Sequence, residues 1–322
     1  MKAAVYYETG GPDVFSYEDV PDPRVRPGGV IIEVAAIGVQ GGDLLHRQSG
    51  VMAQRPHIVG YQAAGVVREV GEDVTEFTTG DRVVATMGNG SHAELVSVPT
   101  RSVWAVPEGL TLEEAAAVPI EFGTADDCLF EFGHLQAGET VLIQAGAGGV
   151  GLAAIQLAKA AGARVIATAS SDDRLQRLRT YGMDHGINSS SADLVGEVMR
   201  LTERSGADLV VDPVGGRALE LSIAALAYRG RISWVGRAGR DEKPPEVWPI
   251  MQKNGSITGV FLGVEMALRP ERTHPMIERL LARVASGELR VAIDQTFKLA
   301  DAADAHRYIE SRRAFGRVLL IP

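Results

Sequence analysis

Cysteine is nearly absent: Cys128 is the only one in 322 residues. No disulfide can close within the chain, so a reducing, cytoplasmic setting is the expectation. A basic block is absent too. The densest run of arginines, Arg312 to Arg317, is broken by Ala314 and Phe315, and the net charge is −9, so nothing offsets repulsion from a nucleic-acid backbone. No apolar run is long enough to span a bilayer. Met1-Lys-Ala-Ala-Val-Tyr-Tyr leads directly into a strand-like pattern rather than a secretory leader. Repeats and low-complexity segments are missing as well. What remains, at 45% hydrophobic and 23% charged, is the composition of a soluble globular protein, and its length exceeds one ordinary core, so two domains are expected.

The organising stretch runs from Glu139 to Ala169. Val141-Leu-Ile reads as a buried parallel strand, and Gly146, Gly148 and Gly151 follow it in a Gly-X-Gly-X-X-Gly turn. Val150, Ala153, Ala154, Leu157, Ala158 and Ala161 then recur at helical spacing up to Gly162, and Arg164 to Ala169 is a second β-rich run. In a βαβ unit of this kind the first glycine permits the bend. The second lets backbone approach a pyrophosphate, and the third lets helix and sheet pack closely, with the phosphates at the helix amino end. Dinucleotide binding is the expectation.

Upstream, short β-rich runs at Ala3–Tyr7, Val30–Ala36, Ala64–Val70, Arg82–Thr86, Ala93–Ser97 and Ser102–Ala105 are punctuated by Gly, Pro and Asp. They predict a rolled antiparallel barrel or sandwich with function on its loops. Thr111 with Glu114 is a capping box, and a second helix is expected over Gly123–Gly133. After the βαβ unit, helices are predicted at Asp173–Tyr181 and Leu219–Tyr228, with strands at Ala207–Asp212 and Gly230–Gly236. This alternation marks a doubly wound sheet. Near the end come a helix at His274–Ser286, a strand at Gln295–Leu299, a helix at Ala300–Ser311 and a final strand at Arg317–Ile321. A lone terminal strand needs a sheet to join, and the amino-terminal barrel is its expected partner.

Met1-Lys-Ala-Ala-Val, Gly80-Asp-Arg-Val-Val, Gly90-Ser-His-Ala-Glu, Val106-Pro-Glu-Gly-Leu-Thr, Gly146-Ala-Gly-Gly-Val-Gly, Asp212-Pro-Val-Gly-Gly, Ala305-His-Arg-Tyr-Ile-Glu and Phe315-Gly-Arg-Val-Leu occur in this order along the whole chain. Together they resemble the medium-chain dehydrogenase/reductase superfamily, specifically its zinc-free quinone oxidoreductase (zeta-crystallin-like) branch. The resemblance implies an α/β protein with a GroES-like β-barrel catalytic domain and a Rossmann doubly wound parallel sheet domain. The catalytic domain would comprise residues 1–121 and 265–322, the Rossmann domain 122–264, with a cofactor cleft between them.

Zinc-dependent members of that superfamily use a cysteine and a His-Glu pair around the metal, where this chain has Gln40 in Gly38-Val-Gln and Tyr61-Gln62 after Gly60. Neither Gln40 nor Tyr61 replaces a thiolate or an imidazole, and one cysteine cannot form a structural zinc site. No metal is expected. By the same resemblance Gly146, Gly148, Gly149, Val150 and Gly151 would hold the pyrophosphate. At the end of the second strand, where an NAD site carries Asp or Glu, stands Ala169, followed by Ser170, Ser171 and, on the next helix, Arg174. Serine hydroxyls and a guanidinium suit a 2′-phosphate, so NADPH is the expected cofactor, although Ser189 stands where the family often has a tyrosine. Thr124, Val235, Gly236, Phe261 and Leu262 match positions beside the nicotinamide, and Gln40, Leu45, Tyr61 and Phe261 match the substrate cleft. Asp43 and Arg47 read as a structural pair. His46, Tyr61 and His92 are the candidate proton donors, and none is assigned as a catalytic acid.

The expected activity is hydride transfer from NADPH to a quinone or an enone-type double bond without metal. The alternatives are an enoyl-thioester reductase and, from another class, an NADPH-binding crystallin-like or interaction protein without turnover. Gly255 to Leu262 is β-rich at the end of the Rossmann region, where an open sheet edge would remain, and a homodimer through that edge is expected.

Overall fold

The six β-rich runs of the first third become strands, and two short strands that the sequence did not announce, Ser16–Asp19 and His57–Ile58, join them. In chain order they are β1 (Lys2–Tyr6), β2 (Ser16–Asp19), β3 (Gly29–Gly38), β4 (His57–Ile58), β5 (Gln62–Val70), β6 (Arg82–Thr86), β7 (Leu95–Pro99) and β8 (Val103–Ala105). One helix interrupts them, α1 (Gly41–Ser49), and another follows β8, α2 (Leu112–Ala115). Thr111 caps α2 as its sequence predicts: the hydroxyl accepts from the Glu114 N–H at 3.1 Å and the Glu114 carboxylate reaches back to the Thr111 N–H at 3.1 Å.

The middle of the chain alternates as a parallel sheet demands: α3 (Pro119–Asp126), β9 (Thr140–Ile143), α4 (Gly149–Ala160), β10 (Arg164–Ala169), α5 (Asp172–Arg179), β11 (His185–Asn188), α6 (Leu194–Leu201), β12 (Ala207–Asp212), α7 (Arg217–Ala225), β13 (Leu226–Trp234), β14 (Ser256–Gly259) and α8 (Leu262–Leu268). The chain ends with α9 (Pro270–Ala285), β15 (Ile293–Lys298), α10 (Ala302–Glu310) and β16 (Arg317–Ile321). This computed structural model describes residues 1–52, 54–241 and 243–322. They divide into Met1–Ile120 with Met266–Pro322, and Glu121–Glu265.

In the first unit one sheet runs β15-β16-β3-β5-β6-β8, with β7 also on β3, and a smaller one runs β2-β1-β4. The terminal strand joins the amino-terminal sheet: Leu319 and Leu320 pair antiparallel with Gly38 and Ile37. Val318, Leu319 and Leu320 are buried, and each such side chain contributes about 1.5–3 kcal/mol of burial free energy, enough to tie the chain end down. The interior gathers Val30, Ile32, Ile37, Val67, Val83 and Leu320.

In the second unit the order is β11-β10-β9-β12-β13-β14, every neighbouring pair parallel. The chain starts in the middle at β9, fills one side, then returns to fill the other, so the strand order reverses between β9 and β12. Ligands in open α/β sheets bind outside the carboxyl ends of the strands at such a point.

Among the element boundaries that differ from expectation, two have a clear physical cause. The helix expected from Gly123 begins at Pro119, because proline is well placed in a first turn, and past Asp126 it runs into a π-helical turn, Asp127–Glu131. The helix expected to reach Tyr228 stops at Ala225, since Leu226 already pairs with Ala207 across a bulge. Tertiary strand pairing overrides the helical spacing of Leu226 and Ala227 there.

Candidate functional site

At the carboxyl end of β9 the chain must turn sharply to enter α4, and the glycines make this possible. A Cβ on Gly151 would lie 2.5 Å from the Ala145 carbonyl oxygen and 2.7 Å from the Gly146 Cα, both backbone atoms that cannot yield. The left-handed residue of the turn is not a glycine but Ala145, at φ 50°, a conformation costing on the order of 1–2 kcal/mol for an L-residue. Its N–H is held by the Thr168 hydroxyl at 3.0 Å, and the Gly146 N–H by the Thr168 carbonyl at 2.7 Å. Gly148 caps α4 and is exposed, Gly149 and Val150 are half-buried, and the first turn carries no acidic side chain. An anion there meets helix-end N–H groups and the positive end of the macrodipole.

Beyond β10, Ser170 is exposed and its hydroxyl accepts a 2.7 Å hydrogen bond from the Arg174 guanidinium. Ser171 caps α5 by accepting from the Arg174 N–H at 3.4 Å. Ser190 donates to the Ser170 carbonyl at 3.1 Å and Ser189 to that of Ala169 at 3.2 Å. The strand end is therefore lined by hydroxyls and one guanidinium. Asp172, the first carboxylate after the strand in sequence, accepts a hydrogen bond from the Asn188 amide at 2.9 Å.

Three further loops reach the same carboxyl edge. Asp212 ends β12 fully buried; its Oδ1 accepts from the Val214 and Gly215 N–H groups at 2.8 and 2.9 Å, and its carbonyl accepts from the Val235 N–H at 2.9 Å. Burial pushes the Asp212 carboxyl above its usual range, against the opposing hydrogen bonds from Gly215, Val214 and Ser222. Val235 and Gly236 lie half-buried after β13, Leu262 is buried at the start of α8, and Phe261 beside it is 71% exposed, a large ring left open to solvent at the strand ends. Thr124 is buried on α3.

In the other unit, Gln40 is buried at the amino end of α1, its N–H held by the Asp43 carboxylate at 2.8 Å. Tyr61 lies over the next turn: a Cβ on Gly42 would meet its hydroxyl oxygen at 2.7 Å. Leu45, on the same helix, is 43% exposed. Gln62 is structural. Its amide donates to the Ala116 carbonyl at 2.5 Å and accepts from the Ile120 N–H at 2.7 Å. Asp43 caps α1 and the buried Arg47 pairs with Glu310 of α10.

Of the histidines considered as proton donors, His46 is half-buried and His92 lies in the interior. Nε2 of His46 faces the Val51 carbonyl at 3.1 Å and Nδ1 the Tyr6 hydroxyl at 2.7 Å; with Nε2 protonated, Nδ1 accepts from the phenol. His92 is fully buried, its Nε2 3.2 Å from that of His306, and burial pushes its pKa down to about 3. Among the described residues no group of three or more His, Cys, Asp or Glu is arranged to hold a metal ion. No helix among them is long and apolar enough to cross a membrane. The polar residues Gln144, Thr168 and Ser222, absent from the sequence-based site, prove to be buried at the same strand ends. Their one sequence signal is polarity in otherwise apolar strand and helix faces.

Two family models match this architecture: an alcohol dehydrogenase GroES-like domain over residues 26–108 and a zinc-binding dehydrogenase over residues 149–282. The chain is 33% identical to 2-haloacrylate reductase of Burkholderia sp., covering 100% of this chain and 99% of that protein. It is 34% identical to a quinone oxidoreductase of Pseudomonas aeruginosa over 97% of each. The structure of Escherichia coli quinone oxidoreductase complexed with NADPH superposes with a TM-score of 0.95 at 28% identity, covering 100% of both chains. The chain belongs to the medium-chain dehydrogenase/reductase superfamily, in its quinone oxidoreductase branch.

Proposed function

We propose that the protein is an NADPH-dependent reductase that delivers hydride to a quinone or to an activated carbon–carbon double bond without a metal ion. Arg174 carries this reading. Its guanidinium is bonded to Ser170, just past Ala169, the strand-end position at which an NAD-specific site would carry a carboxylate for the ribose. The cradle suits the cofactor: a glycine turn with no room for a Cβ at Gly151, an acid-free helix end for the pyrophosphate, and a cationic strand end for the 2′-phosphate. Bound there, the nicotinamide would supply the hydride.

The chain's own residues bind and orient. Gly146, Gly148, Gly149, Val150 and Gly151 hold the pyrophosphate and Ser170 with Arg174 the 2′-phosphate, while Thr124, Val235, Gly236, Phe261 and Leu262 line the nicotinamide. By the family resemblance, Gln40, Leu45, Tyr61 and Phe261 are proposed for the substrate side. A quinone or enone spreads incoming charge over its conjugated system, so orientation and one or two hydrogen-bond donors suffice, with water returning the proton. The names of the relatives, one reducing a quinone and one a 2-haloacrylate, span the two acceptor types. We also propose a homodimer through β14, which ends the sheet order and follows a turn that exposes Trp248 and Met251.

A panel of quinones, enones, 2-haloacrylates and enoyl thioesters with NADPH and with NADH tests the reading. Turnover with quinone or enone and NADPH is expected. Turnover confined to enoyl thioesters, or none with any acceptor, refutes it.

A further inference from the structure

The carboxyl ends of β10, β9 and β12 are joined by one buried chain of hydrogen bonds. The Ala145 N–H donates to Thr168 Oγ1 at 3.0 Å, and the Thr168 hydroxyl donates to Gln144 Oε1 at 2.9 Å. The Gln144 amide then donates to Ser222 Oγ at 3.1 Å, and Ser222 lies 3.2 Å from Asp212 Oδ2 and 2.8 Å from the Ala218 carbonyl, one of which takes its proton. Asp212 Oδ1 in turn holds the Val214 and Gly215 N–H groups. Thr168, Gln144, Ser222 and Asp212 are all buried, Ser222 and Asp212 completely. The backbone N–H of Gln144 also bonds to the Val211 carbonyl at 3.0 Å, so its main chain joins β9 to β12, where the strand order reverses, while its side chain joins Thr168 of β10 to Ser222 of α7.

Each end of this chain is a loop of the candidate site. At one end is the glycine turn, whose left-handed Ala145 is held by Thr168. At the other is the Asp212–Gly216 turn, where a Cβ on Gly215 would meet the Gly236 carbonyl oxygen at 2.8 Å and where the Asp212 carbonyl fixes Val235. Pyrophosphate and nicotinamide segments of a dinucleotide would touch opposite ends. A buried polar chain with each link satisfied is rigid, and loss of one hydroxyl leaves a neighbour unpaired and frees the loop it held.

We propose that Gln144, Thr168 and Ser222 are positioning residues for the dinucleotide, linking the glycine turn to the Asp212–Gly216 turn so that the two loops are set as one unit. The proposal rests on the reading that this unit binds NADPH. Neither loop needs to touch the other, because Gln144 spans the gap with its two amide atoms. Thr168→Val keeps the shape and removes the hydroxyl, and Ser222→Ala removes the far link while leaving both backbone donors on Asp212.

The test is a double-mutant cycle on the full chain: fluorescence titration of NADPH on wild type, Thr168→Val, Ser222→Ala and the double variant, with thermal midpoints measured alongside. Each single substitution is expected to raise the NADPH Kd about threefold to tenfold, and the double variant to lose no more than the worse single one, because either break releases the same linkage. Thr168→Ser, which restores the hydroxyl, is expected to recover wild-type affinity. With the panel substrate, KM for NADPH should rise while kcat at saturating cofactor is retained. Multiplicative losses in the double variant, or a lowered melting point with unchanged Kd in both singles, would overturn the proposal. If wild type binds NADPH and the variants match it, the network claim alone fails. A wild type binding neither NADPH nor NADH refutes the cofactor reading and the network claim with it.

Discussion

Replacing Arg174 by alanine removes the guanidinium bonded to Ser170 at the end of β10, where the 2′-phosphate is proposed to lie. A hydrogen bond to a charged group contributes about 1.5–3 kcal/mol, whereas an exposed ion pair contributes roughly 0.2–1 kcal/mol. Arg174 is half-buried and is held in place by Ser170, which puts it at the lower end of the first range. About 1.5 kcal/mol corresponds to a rise of roughly tenfold in the NADPH dissociation constant. NADH has no 2′-phosphate and its affinity should stay within about twofold of wild type. Because the site is open to water, the NADPH effect should shrink between 50 and 500 mM salt, as the Debye length falls from roughly 14 Å to roughly 4 Å. Fluorescence titration of both cofactors at both salt concentrations reads all of this. Equal losses for NADPH and NADH would mean that Arg174 only supports α5, and no loss for either would remove it from the site. A wild type that prefers NADH would refute the NADPH assignment and move the ribose contact toward Asp172 or Asp173.

Gly151→Ala places a Cβ 2.5 Å from the Ala145 carbonyl; both cofactors should lose at least tenfold in affinity, on the order of 1.4 kcal/mol or more, and unaltered binding would contradict the turn geometry. Acid should weaken the unit that contains His92 and His306. Burial holds both imidazoles neutral, His92 down to about 3 and His306 well below 6.5 with His92 and Arg47 also facing it. The unfolded chain takes up protons below pH 6.5 that the folded chain refuses, so the stability present above 6.5 is lost as pH falls toward the folded values. Each histidine should cost about 1 kcal/mol between pH 6.5 and 5.5; a urea midpoint constant over that interval would refute it. Dialysis against chelator should leave reductase activity unchanged, and one zinc per chain by elemental analysis with loss of activity on its removal would contradict this. Light scattering at micromolar concentration should give twice the chain mass, and a monomer would leave β14 an uncovered edge.

Much of the fold is legible in local pattern, because local pattern is what backbone geometry responds to. The continuous apolar runs Val141–Ile143 and Ala207–Asp212 can only be strands covered on both faces, the Thr111–Glu114 box caps where its hydroxyl and carboxylate dictate, and the glycine spacing after β9 announces its turn. The family was legible for a related reason: its motifs are short and contiguous. Gln40, Ser170 and Arg174 could be proposed from the sequence because a missing cysteine, a missing acid and a nearby arginine are visible one residue at a time.

Tertiary structure decided what depends on distant partners. Leu226 to Tyr228 read as helix until Ala207 offered a strand to pair with, and Ala145 takes the left-handed position, rather than a glycine, because Thr168 from the next strand holds its N–H. Arg47 and Asp43 share one helix in sequence, yet Arg47 is buried against Glu310, more than 260 positions away, and Asp43 caps its own helix. Gln144, Thr168, Asp212 and Ser222 are scattered over 79 residues with no periodicity to mark them, and only the reversal of strand order between β9 and β12 brings them to one edge. Sequence pattern determined which backbone segments form, through periodicity and steric freedom. Which polar atoms meet was decided by packing, since a buried donor takes whichever acceptor the fold delivers to it.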